Sequence, residues 1–130
     1  MKMTAKEILI RARNLISKPD NWCKNTAARK KLSCNGGFAS GFFPCGGTDP
    51  EACQWCASGA VDSVITTWPY YDIYVSHARA MALRALDEAC PYQSIVSYND
   101  FPATSHRQIL DIFNKAIERL DTPKIEEQRK

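Results

Sequence analysis

Ser105-His106-Arg107-Gln108-Ile109-Leu110-Asp111-Ile112-Phe113-Asn114-Lys115-Ala116-Ile117-Glu118-Arg119-Leu120-Asp121 is the stretch on which the fold reading turns. Ile109, Leu110, Phe113, Ala116, Ile117 and Leu120 recur at helical spacing and make one continuous apolar face. Ser105 and Gln108 have the spacing of a capping box, in which each side chain satisfies the other residue's free backbone N–H. A helix this amphipathic needs partners of the same kind. The rest of the chain is read for them.

Residues 4–18 supply the first. Thr4 and Glu7 form a second capping box, and Ile8, Ala12, Leu15 and Ile16 fall on one face. Lys18-Pro19 ends it, because the residue before proline is pushed out of helical geometry, and Trp22 is placed to fold back over the apolar face. Another helix spans roughly 71–89, with Val75, Ala78, Ala82, Leu86 and Ala89 inward. Thr48-Asp49-Pro50-Glu51 carries helix N-terminus chemistry, which predicts a helix from there to about Thr66 with Cys53 and Cys56 as neighbours one turn apart. Residues 94–98 are β-prone but too short to build a sheet. Residues 31–49 are broken by glycines and Pro44 and read as a long loop or short hairpin.

These readings predict an all-α fold: a compact four-helix domain with a Cys/Gly/Phe-rich irregular loop between helices 1 and 2. Residues 1–122 form one helical domain, with 31–49 as its irregular insertion, and 123–130 form a charged flexible tail. The 130 residues suffice for one core. With 24% charged and 45% hydrophobic residues, wholesale disorder is excluded. No apolar run approaches the roughly 18 residues of a membrane span. The N-terminus lacks the apolar core of a secretory signal, so the expected location is the cytoplasm.

Net charge is +3, but residues 1–31 carry nine cations and two anions, and residues 32–78 contain no Lys or Arg. Such a basic end attracts phosphate or an acidic protein. No helix-turn-helix, finger or stacking-platform pattern accompanies it, so nucleic-acid binding is a weak reading. Aromatic side chains give surfaces for a protein partner: Phe38, Phe42 and Phe43 in the loop, and Trp68, Tyr70 and Tyr71 after the second helix.

Six cysteines without an export signal read as buried thiols, metal ligands or a nucleophile. Cys34, Cys45, Cys53 and Cys56 supply four thiolates, the number a structural zinc needs, although only one CxxC pair is present. Buried free thiols and no cofactor are the favoured reading, with zinc as the alternative. Cysteine catalysis would use Cys56 near a helix N-terminus, His106 as base, and Asn99 or Asp100 to orient the imidazole. The same Asn99, Asp100 and His106 also serve an ordinary helix entrance.

Three motifs in order, a helix followed by Trp22, then Trp55-Cys56-Ala57-Ser58-Gly59-Ala60, then Ser97-Tyr98-Asn99-Asp100-Phe101-Pro102-Ala103-Thr104-Ser105-His106 running into the last helix, carry a resemblance. The chain resembles a family of small uncharacterised helical proteins of bacteria and phages. That resemblance implies recurrent positions at Cys56, Asn99, Asp100, Thr104 and His106, and no established activity. Cys34, Cys45 and Cys53 depart from its pattern. The expected function is a phage or mobile-element accessory module that binds a host protein. The alternatives are a hydrolase or transferase using Cys56 and His106, and a zinc-clipped nucleic-acid binder.

Overall fold

The computed structural model describes residues 3–31, 42–67, 73–92 and 94–121. It corrects the all-α expectation: five helices stand beside a three-stranded antiparallel sheet, so the fold is mixed α and β. In chain order the elements are α1 (Ala5–Leu15), a 3₁₀ turn (Pro19–Asn21), β1 (Ala28–Lys31), β2 (Phe42–Cys45), β3 (Ala52–Trp55), α2 (Ala57–Thr66), α3 (Ile73–Ala89), α4 (Ile95–Asp100) and α5 (His106–Asp121).

Helices α1, α2, α3 and α5 pack together and hold the core. Ile8, Leu9, Val61, Leu86, Ile109 and Phe113 are fully buried among them, each worth about 1.5–3 kcal/mol of apolar burial. Both predicted capping boxes form. Thr4 Oγ1 accepts from the Glu7 N–H at 3.1 Å, and Ser105 Oγ accepts from the Gln108 N–H at 3.2 Å while Gln108 Oε1 takes the Ser105 N–H at 2.7 Å. The Val75, Ala78, Ala82 and Leu86 stripe of α3 is buried as its spacing requires.

The sheet has the order β2-β1-β3, with Ala28 opposite Cys45 on one side and Trp55 on the other. Its central strand, Ala28-Arg29-Lys30-Lys31, has no hydrophobic alternation because it lies outside the helical core. Its basic side chains bond polar groups instead: Arg29 donates to the Lys24 carbonyl at 3.1 Å, and Lys30 pairs with Asp49 at 3.3 Å. Of residues 31–49, read as a long loop or short hairpin, Lys31 ends β1 and Phe42–Cys45 form β2, while residues 32–41, with Cys34 and Phe38, lie outside the described residues.

Thr48-Asp49-Pro50-Glu51 does not start a helix. Asp49 Oδ1 accepts the Glu51 N–H at 2.9 Å and Asp49 N donates to the Gly46 carbonyl at 3.1 Å, making the turn between β2 and β3. The chemistry that marks a helix N-cap, a short side-chain acceptor reaching a nearby N–H, marks such a turn equally well. Cys53 consequently lies on β3, and Cys56 precedes α2 as its N-cap. Residues 95–100 form α4 instead of an extended piece, since Ser94 Oγ caps the Ser97 N–H at 3.1 Å and Asp87 Oδ1 takes the Ile95 N–H at 2.8 Å.

Sheet and bundle meet where α2 begins. The Ala27 carbonyl accepts the Cys56 N–H at 2.9 Å, and a Cβ built on Gly59 would stand 1.9 Å from that carbonyl oxygen. A Cβ on Gly47 would in turn come within 2.7 Å of the Gly59 carbonyl. Only glycine allows this approach. Gly59→Ala is expected to cost about 3 kcal/mol, the upper range for overpacking, read as a lowered urea midpoint. A variant as stable as the parent would refute the close contact.

Candidate functional site

The densest polar arrangement forms at the end of α4, where Asn99 is completely buried. A buried carboxamide must find partners for two donors and an acceptor oxygen. Asn99 Oδ1 accepts from Trp22 Nε1 at 2.7 Å and from the Ala57 N–H at 3.1 Å. Its Nδ2 donates to the Cys23 carbonyl at 3.0 Å and to Asp100 Oδ1 at 3.0 Å. One side chain thus ties the segment after α1 and the first turn of α2 to α4.

Asp100 extends the network. Its Oδ1 also accepts the Asn25 N–H at 2.7 Å, where Asn25 sits at φ 69°, a left-handed conformation that asparagine tolerates. Lys24 closes the same turn, donating from Nζ to the Phe101 carbonyl at 2.8 Å and the Pro102 carbonyl at 3.2 Å, with its ammonium 5.4 Å from the Trp22 ring centre. Neither Asn99 nor Asp100 serves the local backbone turn that the sequence suggests.

His106, the first residue of α5, lies beyond Trp22, with its ring centre 5.8 Å from the indole. Its Nε2 is 2.6 Å from the Ile16 carbonyl; since a carbonyl only accepts, Nε2 carries the hydrogen. It thereby satisfies a carbonyl at the end of α1, one of the orphan acceptors of a helix C-terminus. Cys56 takes the opposite end. Its Sγ accepts the Gly59 N–H at 3.3 Å and lies 3.3 Å from Ser58 Oγ. Asn99 and Asp100 therefore meet directly, Asn99 bonds the residue beside Cys56, and His106 joins the group through the Trp22 ring. Thr104 is buried, and its N–H closes a turn on the Phe101 carbonyl at 3.0 Å.

Cys23, Cys45, Cys53, Cys56 and Cys90 are free thiols. Burial, reinforced by the nearby Cys56, pushes the Cys23 thiol up to about 12, and burial together with Asp87 pushes Cys90 to about 11. Cys45 is also raised, by burial and then by Asp49. Among the described residues, no group of three or more His, Cys, Asp and Glu side chains is arranged to hold a metal ion; Cys34 falls outside them.

Of the expected partner-binding rings, Phe43 is 43% exposed on β2. The backbone of Phe42 belongs to the same strand, while Phe38, Trp68, Tyr70 and Tyr71 lie outside the described residues. The sequence reading missed Tyr92 and Phe101, exposed by 45% and 43% with ring centres 5.2 Å apart. It also missed the roles of Cys23, Lys24 and Asn25. Trp22 had a signal, as the tryptophan closing the first helix, but its bond to a residue 77 positions away had none.

Residues 1–119 match a family described as a family of unknown function, DUF6197, and the chain belongs to that family. No curated protein and no solved structure matches it. Among the described residues, no helix is long and apolar enough to cross a membrane.

Asn99→Ala is expected to cost about 3 kcal/mol, because it strands the Trp22 indole and the Ala57 N–H in the interior. A chemical denaturation midpoint measures it, and a change under about 0.5 kcal/mol would contradict the network. Alkaline stability carries a second expectation. The unfolded Cys23 thiol ionises near the ordinary thiol value of 9.0 and the folded one at about 12, so the unfolded state loses its proton first and stability falls as pH rises between them. Urea titrations across that range should show the decline, and Cys23→Ala should make it shallower while Cys90, raised to about 11, keeps part of it; an unchanged slope would exclude Cys23 as a source.

Proposed function

We propose that this domain acts by binding a protein partner rather than by catalysis. The observation that carries the reading is a division of labour between polar and apolar side chains. The groups able to do chemistry are engaged internally: Asn99 and Asp100 hold chain segments, His106 bonds the Ile16 carbonyl, and the Cys56 sulfur caps α2. The large apolar groups are left outward. Phe43, Tyr74, Met81, Tyr92, Val96 and Phe101 are the exposed large hydrophobics among the described residues, and three of them lie within residues 92–101. Paired aromatic rings that keep nearly half their surface in water suit a binding hot spot, where burial against a partner yields most of the affinity.

The basic N-terminal stretch favours a protein over a nucleic acid. Lys6 pairs with Asp121 at 2.7 Å, Arg13 donates to Asn114 Oδ1 at 2.9 Å, and Lys24, Arg29 and Lys30 bond carbonyls or Asp49. Charge engaged this way is less available to neutralise phosphates. The resemblance of the motifs to bacterial and phage proteins supports reading the domain as a phage or mobile-element accessory module whose partner is a host protein.

Tyr92→Ser and Phe101→Ser remove exposed rings without touching the buried network. Each should leave the melting temperature nearly unchanged and weaken association with a captured, purified partner about tenfold or more. Full retention of binding by both, together with by Phe43→Ser, would defeat this reading.

A further inference from the structure

Cys23 and Cys56 are both buried free thiols, and neither belongs to the aromatic surface proposed for docking. The backbone sets them side by side. Trp22 and Trp55 form a parallel bridge, and the Cys23 N–H donates to the Trp55 carbonyl at 3.1 Å. Cys23 and Cys56 are the next residue on each segment, and the Cys56 backbone is still extended. Paired extended segments run about 4.8 Å apart with in-register side chains on one face, and a disulfide spans Cα separations of about 4.4–6.8 Å. The pair meets the backbone requirement for a bond between the two sulfurs.

The sulfurs differ in their surroundings. Cys56 Sγ accepts the Gly59 N–H at 3.3 Å and lies 3.3 Å from Ser58 Oγ, so it is oriented at the first turn of α2. Cys23 Sγ donates to the Thr26 carbonyl at 3.8 Å, and burial followed by the charge of Cys56 pushes this thiol up to about 12. The Cys56 contribution means that each sulfur lies within reach of the other's charge. Cys23 thus keeps its proton at neutral pH, which leaves Cys56 as the sulfur placed to react first.

We propose that Cys23 and Cys56 form a peroxide-reactive dithiol, with Cys56 as the attacking sulfur and Cys23 as the resolving one. The Cys56 sulfur attacks one oxygen of hydrogen peroxide, the O–O bond breaks, and the second oxygen leaves as water with the thiol proton. Cys56 is then a sulfenic acid. The Cys23 sulfur attacks the Cys56 sulfur, the S–O bond breaks, and the hydroxyl leaves as water with the Cys23 proton. Two thiols lose two electrons in total, and one peroxide is reduced to two waters. At 4% exposure of each cysteine, an oxidant of water's size reaches the pair and a bulky disulfide such as oxidised glutathione does not. The product joins covalently the two segments that Asn99 already joins through the Cys23 carbonyl and the Ala57 N–H.

The test treats the full reduced chain with hydrogen peroxide under native conditions, blocks the remaining thiols, and maps an unreduced digest by mass spectrometry. A linked peptide pair carrying Cys23 and Cys56, lost on adding dithiothreitol, is expected as the main oxidised product. Oxidised glutathione at equal concentration should form it about tenfold more slowly. Dimedone, which traps sulfenic acid, should label Cys56 in Cys23→Ser, and label Cys23 in Cys56→Ser about tenfold less. The linkage map of the unmutated chain decides the pairing even if a variant fails to fold. Absence of the linked pair, a main product joining any other cysteines, equal rates with both oxidants, or preferential trapping on Cys23 would overturn the proposal.

Discussion

The Asn99 carboxamide has four hydrogen bonds to give or receive, and the structure fills all four from residues 22–23, 57 and 100. Water does not reach it, so each missing partner would cost the full desolvation of a buried polar group. This makes the arrangement selective. The chain after α1 must pass α4 at the height that offers the Trp22 indole and the Cys23 carbonyl, and α2 must begin where Ala57 can donate. Trp22 then provides the surface against which His106 turns its ring, placing the first residue of α5 over the end of α1. Helices with interchangeable apolar faces could pack in several ways; the polar hub distinguishes one of them.

The glycine contact beneath the hub has the same character. Gly59 sits on α2 just past the residues that Asn99 and Ala27 hold, and its missing side chain lets the Ala27 backbone, just before β1, pass against the helix. Parallel pairing of Trp22 with Trp55 continues this junction, with the Cys23 N–H on the Trp55 carbonyl at 3.1 Å. The small sheet is thus fixed to the bundle chiefly by backbone hydrogen bonds and close approach. Such a junction leaves little trace in hydrophobic pattern.

That explains what the sequence disclosed and what it concealed. Helices α1, α3 and α5 were legible because burial on one face forces apolar residues into a period of 3.6, and capping chemistry marks α1 and α5 at their start. The core stripe Val75, Ala78, Ala82 and Leu86 follows from the same rule. Strand β1 was hidden because Arg29, Lys30 and Lys31 face polar partners or solvent, and Asp49 misled because a turn and an N-cap use one side-chain chemistry. Asn99, Asp100 and His106 stood out as a polar cluster, but their roles depend on Trp22, Cys23, Asn25 and Ile16, which lie 75 to 90 positions away in the chain. Spacing arguments do not span such distances.

The most direct test of the central role given to Asn99 is hydrogen exchange of the Trp22 indole N–H, followed by NMR. An indole held by a buried carboxamide that itself anchors three segments should exchange only when the whole domain unfolds, at the free energy of the slowest core amides such as that of Phe113. Exchange far faster than those amides, under conditions where they stay protected, would show that the hub opens on its own and would contradict the account.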